Sequence, residues 1–284
     1  MAASSTSGMT GLARAVDSHA HVFDLARFPF HPSSGFSLLA NEPGTARQYA
    51  AVLDSHGFSH ALLINPLGGY GVDNRNMMQI LAESAGRFKG VAVVPHDIAE
   101  AELDALVAGG VVGIRFNLSF PASPSLFGAG GQRLLALARE RGLFAQVHYH
   151  EEAHILEAVP VLRRAGLPLV FDHCGRPHLE RGLAQPGFQA LLELGREGAH
   201  VKLSAPFRYS KAGWPYEDVD DYVRALVDAC TLERCVWGSD WPFLRAGTRV
   251  DYGPELHPVS RWFPDPADRR RLLWDNPSRL FGFR

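Results

Sequence analysis

Ala15-Val16-Asp17-Ser18-His19-Ala20-His21-Val22-Phe23-Asp24 opens the regular part of the sequence, as a short apolar run that carries two histidines one residue apart. Residues i and i+2 of a β-strand face the same side, so His19 and His21 are expected to present their imidazoles side by side. In a chain with 13 histidines such a pair is a weak signal by itself. Its place at the end of a first strand strengthens it, because α/β barrels carry their chemistry at the carboxyl ends of their strands.

Seven further apolar runs follow the first one, and a helical pattern follows each of them. The runs cover residues 61–65, 91–95, 111–117, 144–150, 169–174, 201–204 and 235–240. The predicted helices cover residues 45–56, 74–85, 101–108, 132–141, 152–165, 187–196, 219–229 and 266–280. Continuous rather than alternating apolar strands are typical of a parallel sheet that is covered on both faces. Eight such units predict a single (β/α)8 TIM barrel of the α/β class, with an open doubly wound sheet or a two-domain chain as alternatives.

The domain organisation is expected to be simple. Residues 15–284 are predicted to form one barrel domain, and residues 1–14, rich in Ser, Gly and Ala, a flexible leader. The Pro- and Phe-rich residues 25–43 predict a long loop over the strand ends, and long loops in compact domains are often functional. The glycine-rich Gly68-Gly-Tyr-Gly71 predicts a second loop, whose backbone N–H groups could face a ligand.

Composition and charge exclude several classes of function. Hydrophobic residues make up 46% of the chain and charged residues 20%, which is typical of a globular protein with a sizeable core. The formal net charge of −2 gives no general attraction to nucleic acid or a membrane, and no apolar run approaches the ~20 residues of a membrane span. Three cysteines without C-x-x-C spacing favour a reducing, cytoplasmic setting. The expected partner is a small anionic molecule, and the oligomeric state stays open, with a homodimer as one alternative.

Polar side chains occupy the ends of the predicted strands. They are His19, His21, Arg115, Asn117, His148, Tyr149, His150, Asp172, His173, Lys202, Ser204, Ser239 and Asp240. The carboxyl ends of parallel strands share one edge of a barrel, so these side chains are expected to surround one mouth.

Five motifs within this set resemble the amidohydrolase superfamily, and more closely its amidohydrolase-related branch, which includes the 2-pyrone-4,6-dicarboxylate lactonases. They are Val16-Asp-Ser-His-Ala-His21, Gly113-Ile-Arg-Phe-Asn117, Phe171-Asp-His-Cys-Gly-Arg176, Lys202-Leu-Ser204 and Val236-Trp-Gly-Ser-Asp-Trp-Pro242. The resemblance spans almost the whole chain and implies a carboxylic ester hydrolase that acts in the catabolism of aromatic compounds. One departure is Phe243, where the pyrone lactonases tend to carry His after Pro, so sugar-acid and sulfonated lactones stay open as substrates.

Asp240 is the candidate general base. It ends an apolar strand between Trp237 and Trp241, where partial desolvation suits a carboxylate that takes a proton from water. The structural alternative is a carboxylate that caps a helix, because Pro242 follows closely. His19, His21 and His173 are the candidates for stabilising a carbonyl oxygen as it becomes an oxyanion.

The same histidines could instead bind a metal ion. His19, His21, His148, His173 and Asp240 would supply an N/O ligand set suited to one Zn²⁺, which would activate a bound water. Two-metal members of the superfamily use a Lys or Glu on strand 4 as a bridging ligand, whereas strand 4 here ends in an arginine and an asparagine. The resembling lactonases work without a metal, so the sequence favours a site without a cofactor and keeps one zinc ion as the alternative.

Arginines supply the substrate argument. Arg115, Arg176 and Arg208, with Arg245 as a weaker fourth, follow strand ends closely, and guanidinium groups suit the bidentate binding of carboxylates. Any one of them could equally pair with a surface acid. The further candidates for substrate binding are Asn117, His148, Tyr149 and Ser204.

Together these features predict a hydrolase that opens a carboxylated lactone, such as 2-pyrone-4,6-dicarboxylate, with water activated by Asp240. The alternatives are a mononuclear zinc-dependent hydrolase or decarboxylase, a sugar-acid lactonase, and a barrel that binds a small molecule without catalysis.

Overall fold

The computed structural model describes residue 12 and residues 14–284, and within them eight parallel strands form one sheet in which each strand pairs with the next along the chain. The strands are β1 Val16–Ala20, β2 His60–Ile64, β3 Phe88–Ala92, β4 Val111–Asn117, β5 Phe144–His148, β6 Leu169–Phe171, β7 His200–Ser204 and β8 Cys235–Gly238. The predicted TIM barrel is confirmed, and its strands follow the predicted order. The predicted leader, apart from residues 12 and 14, lies outside the described residues.

Helices surround the barrel between successive strands. They are α1 Ala46–His56, α2 Leu67–Tyr70, α3 Arg75–Glu83, α4 Glu100–Ala108, α5 Gly128–Glu140, α6 Glu152–Arg164, α7 Pro186–Arg196, α8 Asp220–Cys230, α9 Tyr252–Leu256, α10 Pro258–Trp262, α11 Pro266–Arg270 and α12 Asn276–Phe281, with a π-helical turn at Arg271–Asp275 between the last two. Among the helices of the described chain, none is both long and apolar enough to serve as a membrane span.

Local sequence explains where helix α1 begins and ends. Thr45 accepts a hydrogen bond from the backbone N–H of Gln48, whose side chain in turn accepts from the backbone N–H of Thr45, so both ends of a capping box are present. Gly57 ends the helix at φ 78°, a left-handed conformation that glycine adopts without steric cost.

Several predicted strand ends differ by one to three residues, and for β3 and β6 the reason is local. β3 starts at Phe88 and ends at Ala92, earlier than the predicted residues 91–95, because the side chain of Asn74 bonds both the N–H and the carbonyl of Val93. β6 ends at Phe171 because the next residues form a tight turn, with His173 and Cys174 at φ 51° and 54°.

The predicted glycine loop is partly helical, and the long loop packs on it. Residues 67–70 form the single turn α2, and a Cβ at Gly69 would lie 2.2 Å from the ring of Phe30, so this close contact requires glycine. The predicted loop at residues 25–43 is irregular apart from a short 3-10 turn at Pro32–Ser34.

The barrel closes where β1 meets the end of β8. The N–H of Asp240 donates to the carbonyl of His19 at 2.8 Å, and the N–H of His21 donates to the carbonyl of Trp241 at 2.7 Å. Gly238 permits this approach, because a Cβ there would lie 2.7 Å from the backbone nitrogen of His19. Closure therefore brings the H-x-H pair directly beside the residue that was predicted to be the base.

Hydrogen bonds to a buried carboxylate connect the two strands at this junction. Asp17, which is fully buried, accepts hydrogen bonds from the backbone N–H and the hydroxyl of Ser239, from Tyr49 at 2.7 Å and from Tyr252 at 3.0 Å. Burial raises the pKa of Asp17, while these hydrogen bonds lower it in part. The Asp17 clasp, as we call this set of four residues, joins the first strand to the last.

Candidate active site

The predicted catalytic residues lie together at the carboxyl end of the barrel. Nε2 of His19 and Nε2 of His21 are 3.4 Å apart, and both lie within 3.7 Å of Oδ1 of Asp240. Nε2 of His173 lies 3.9 Å from Oδ2 of the same carboxylate. His19 and Asp240 expose 1% of their surface or less. The structure thus brings together four side chains that the sequence places on strands 1, 6 and 8.

Strand ends with left-handed backbone aim several of these groups. Asp240, His173 and Ala205 have φ values of 62°, 51° and 50°, which residues other than glycine seldom adopt. Each follows the last residues of its strand, β8, β6 or β7. Strained backbone of this kind is concentrated at functional sites, because only the surrounding packing can hold it in place.

Two of the imidazoles are oriented by hydrogen bonds on their far side. Nδ1 of His21 lies 2.8 Å from the carbonyl oxygen of Ile64, and a carbonyl can only accept, so Nδ1 carries the proton and Nε2 presents a lone pair. Nδ1 of His173 bonds the hydroxyl of Ser204 at 2.9 Å. Ser204, a predicted substrate-binding residue, therefore contacts His173. Nε2 of His21 is suited to accept a hydrogen bond, whereas the sequence suggested that His21 donates one.

Burial keeps these histidines neutral. Desolvation lowers the pKa of His19 to about 4 and that of His21 to about 3, with Lys202 adding to the effect on the first ring and His19 to that on the second. Burial also lowers the pKa of His173 well below its ordinary value. Near neutral pH these rings act as hydrogen-bonding groups of fixed tautomer rather than as cations.

The predicted base is an ionised carboxylate in an ion pair. Nε of Arg208 donates to Oδ2 of Asp240, while Oδ1 has no hydrogen-bond partner among the described residues. Burial raises the pKa of Asp240, as the sequence suggested, but Arg208 and the three imidazoles outweigh burial and hold this pKa well below the ordinary value. Oδ1 is therefore a free acceptor that faces His19 and His21.

A second carboxylate lies beneath the first and was not predicted as a site residue. Both oxygens of Asp172 face polar groups: Oδ2 accepts from Arg115 at 3.1 Å and from Gln146 at 3.0 Å, and Oδ1 lies 3.3 Å from Nζ of Lys202. Burial raises the pKa of Asp172, yet Lys202, His19 and Arg115 hold it well below the ordinary value. We call Asp172, Arg115, Gln146 and Lys202 the Asp172 network. The sequence places Asp172 and Lys202 among the strand-end residues at the mouth but assigns neither of them a role.

Arg176 and two histidines of strand 5 border the same cluster. Nη1 of Arg176 lies 2.6 Å from Nε2 of His150, and Nε2 of His148 lies 2.8 Å from that same atom. Arginine only donates, so Nε2 of His150 accepts from Arg176. Burial, followed by repulsion from Arg208, lowers the pKa of Arg176 to about 10, which leaves it a cation near neutral pH.

Three predicted substrate-binding residues lie elsewhere. Tyr149 follows His148 and so faces the opposite side of the strand, where a Cβ at Gly175 would meet both its hydroxyl and Leu191 of α7. Asn117 accepts from the backbone N–H of Ser119 in a local turn. Arg245 pairs with Glu42 of the long loop at 2.6 Å. The structure does not bring these three into the cluster, because strand alternation and local pairing direct them away.

The donor atoms fit a metal ion in position but not in charge. Nitrogen atoms of His19 and His21 and an oxygen of Asp240 lie within 4.8 Å of one another, as do atoms of His19, Asp172 and His173, whereas His148 belongs to neither set. Among the described residues of this cluster, however, Lys202 and the arginines at positions 115, 176 and 208 outnumber the two ionised carboxylates. A divalent cation would add to a surplus of positive charge, so the set does not fit it electrostatically.

Comparisons with known proteins agree with this geometry. A sequence model of the amidohydrolase family matches residues 16–283. The chain is 30% identical over 282 residues to the 4-sulfomuconolactone hydrolase of Rhizobium radiobacter, with 94% of this chain and 89% of that protein covered. It is 30% identical over 292 residues to the 2-pyrone-4,6-dicarboxylate hydrolase of Comamonas testosteroni, with 95% and 90% covered.

Solved structures show the same barrel. A Pseudomonas putida protein, provisionally described as a 2-pyrone-4,6-dicarboxylic acid hydrolase, superimposes with a TM-score of 0.83 at 34% identity, covering 96% of this chain and 98% of that one. A zinc-bound amidohydrolase from Burkholderia multivorans shares the fold alone, with a TM-score of 0.76 at 21% identity and 96% and 100% covered. The extent of the sequence match, together with the H-x-H pair beside Asp240 at the barrel closure, identifies the chain as a member of the amidohydrolase family.

Proposed function

We propose that this protein is a lactonase that hydrolyses a cyclic ester bearing one or more carboxylates. The observation that carries the proposal is a surplus of buried and half-buried cations around a free carboxylate oxygen of Asp240 and neutral histidines. Arginine clusters of this kind suit planar anions, and an ionised carboxylate beside them suits proton abstraction from water.

The attacking water would lie between Asp240 and His21. Oδ1 of the carboxylate and Nε2 of the imidazole both accept, so one water can donate a hydrogen bond to each. The water oxygen bonds to the lactone carbonyl carbon as its proton passes to Asp240. The carbonyl oxygen becomes an oxyanion, and the ring N–H of His19 would stabilise it.

Collapse of this intermediate opens the ring. The carbonyl re-forms as the ring C–O bond breaks, and the departing oxygen takes the proton held by Asp240. One lactone and one water thus give one hydroxy acid or its enol, and Asp240 returns to its ionised form. The residues supply binding, orientation and proton transfer, and no redox step is involved.

The arginines would hold the substrate carboxylates. Arg176 contacts His150 and Arg208 contacts Asp240, and each guanidinium could exchange this contact for a charge-assisted bond to a ligand carboxylate. Arg115 is held in the Asp172 network, so its contribution is to the positive potential of the site.

The substrate class follows from this charge. The relatives act by name on a sulfonated muconolactone and on 2-pyrone-4,6-dicarboxylate, which share a lactone ring with an additional anionic group. A pyrone-dicarboxylate-like lactone is the first candidate for this protein, and a sugar-acid lactone is the second. A mononuclear zinc enzyme is the alternative mechanism, supported by the convergence of His19, His21 and Asp240.

A screen of ring opening tests the proposal. Carboxylated pyrones, sulfonated muconolactones and sugar-acid lactones are compared with a neutral lactone of the same ring size, and ring opening is followed by ultraviolet absorbance or acid release. We expect turnover only with the anionic lactones, in protein dialysed against chelator. Equal turnover of the neutral lactone would contradict the role of the arginines, and activity that chelation removes and zinc restores would support the alternative.

A further inference from the structure

Lys202 is a buried cation at the centre of the site that the proposed reaction does not use. It lies on β7 with no exposed surface. Its Nζ donates to Oε1 of Gln146 at 2.7 Å, lies 3.1 Å from Nδ1 of His19 and lies 3.3 Å from Oδ1 of Asp172. An ammonium group has three N–H donors, and Oε1 of Gln146 accepts from one of them.

The amide of Gln146 shows that Lys202 donates. Since a carboxylate oxygen only accepts, Nε2 of Gln146 must face Oδ2 of Asp172, to which it donates at 3.0 Å. Oε1 of the same amide then faces Nζ of Lys202 and accepts from it. Oδ1 of the buried Asp172 carboxylate lies 3.3 Å from Nζ, and this ion pair stabilises the ammonium form against the burial that lowers the pKa of Lys202.

The contact with His19 settles the tautomer of that ring. Nδ1 has two neighbours at similar distances, Nζ of Lys202 at 3.1 Å and Oδ1 of Asp172 at 3.2 Å. The contact with Nζ has the geometry of a hydrogen bond, and Oδ1 of Asp172 lies at ion-pair distance from both groups. Since an ammonium cannot accept, Nδ1 must accept, and the ring proton then lies on Nε2.

We propose that Lys202 is a positioning residue that fixes His19 as the Nε2–H tautomer, so that the H-x-H pair presents one donor and one acceptor rather than two metal ligands. His21 is the acceptor, because Ile64 holds its proton on Nδ1. A ligand nitrogen must present a lone pair to a metal ion, and Nε2 of His19 presents a proton instead. Lys202 thus supplies in the Asp172 network the positive charge that a metal ion would supply, and it directs the proton of His19 toward the reacting oxygen. This assignment does not depend on the identity of the substrate.

The first experiment measures the tautomer in the unmodified protein. Long-range ¹H–¹⁵N correlation spectra of protein labelled at histidine distinguish protonated from unprotonated ring nitrogens, and the signals of His19 are assigned with the His19→Gln variant. We expect Nε2 of His19 to be protonated and Nδ1 to be an acceptor, with the opposite pattern in His21. A proton on Nδ1 of His19 would overturn the proposal, and this result needs no variant of Lys202.

The second experiment removes the ammonium and measures metal binding. Lys202→Met keeps the length of the side chain but frees Nδ1 of His19 to donate to Asp172, which leaves a lone pair on Nε2. Titration with Co²⁺ alone, followed by its visible ligand-field absorption, is expected to show about 10- to 100-fold tighter binding than the parent protein, the size typical of outer-shell partners.

Lys211→Met, at an exposed position, is the matched control and should bind Co²⁺ as the parent does. Equal affinity in the parent and in a folded Lys202→Met protein would overturn the proposal. Neither experiment uses a substrate, so a failed lactone screen would leave both results unaffected.

Discussion

Arg208 and Asp240 form an ion pair at the mouth of the barrel, in which Nε of the guanidinium donates to Oδ2 of the carboxylate. The residue proposed to bind substrate and the residue proposed to activate water therefore restrain each other in the free protein. A substrate carboxylate competes with Asp240 for Arg208, so binding would weaken the interaction that keeps Asp240 a poor base.

Asp240→Asn should separate catalysis from binding. Removal of the base is expected to lower kcat by about 10²- to 10⁴-fold, the range typical of general base catalysis. Affinity for the hydroxy acid product, measured by calorimetry, should persist or rise, because Arg208 loses its internal partner. Asp221→Asn, at an exposed ion pair with Arg224, is the control. Near-normal turnover by Asp240→Asn would refute the assignment of the base.

Arg208→Met should move the acidic limb of the activity profile. Only ionised Asp240 can accept a proton, and burial alone would raise its pKa, whereas Arg208 is the largest of the groups that lower it. Without the guanidinium, the pKa of Asp240 rises, so kcat/KM should fall at a higher pH on the acidic side than in the parent. The measurement is the pH profile of kcat/KM for both proteins. Superimposable acidic limbs would show that Arg208 does not control the base.

Arg176→Met should weaken substrate binding more than turnover. A charge-assisted hydrogen bond contributes about 1.5–3 kcal/mol, so its loss is expected to raise KM by about 10- to 150-fold. A lactone that lacks one carboxylate should lose less than a dicarboxylate does. Arg224→Met is the control on an exposed helix face. Equal losses for both lactones would mean that Arg176 does not contact the additional anionic group.

Acid should destabilise the fold before it titrates the carboxylates. Burial lowers the pKa of His19 to about 4 and that of His21 and His148 to about 3, against 6.5 when unfolded. Below pH 6.5 the unfolded chain protonates these imidazoles, whereas the folded chain keeps them neutral. The stability that these groups contribute is therefore complete above pH 6.5 and is lost as the pH falls. Three such groups give a slope of about 4 kcal/mol per pH unit between their folded and unfolded pKa values.

Urea unfolding between neutral pH and about pH 5 measures that slope, and the linkage relation converts it into protons bound. His148→Gln should reduce this slope by about one bound proton. A stability that stays level across this range would contradict the neutral, buried state of the three rings.

The sequence supports the framework of the site better than its electrostatics. The order of the strands and the convergence of His19, His21, His173 and Asp240 follow from two rules, that residues i and i+2 share a face and that parallel strands end together. The same alternation could have excluded Tyr149 from the candidate substrate-binding residues, because Tyr149 directly follows inward-facing His148.

The remaining features depend on register and on distant partners. Gln146, Asp172 and Lys202 belong to three different strands, and no local pattern shows that their side chains meet at one level of the barrel. The low pKa of Asp240 depends on Arg208, which is 32 positions away. The flanking tryptophans indicate that Asp240 is desolvated, which raises its pKa. No sequence pattern indicates the ion pair with Arg208 that lowers this pKa.

The Asp17 clasp has a consequence for synthesis of the chain. Asp17 is translated early, and its partner Ser239 follows 222 positions later. Until then, one edge of β1 has no neighbouring strand, and Asp17 lacks the two hydrogen bonds from Ser239 and the one from Tyr252. The reactive centre can therefore form only after more than four fifths of the 284 residues have been translated, and any nascent fragment shorter than this holds H-x-H without the carboxylate that faces it.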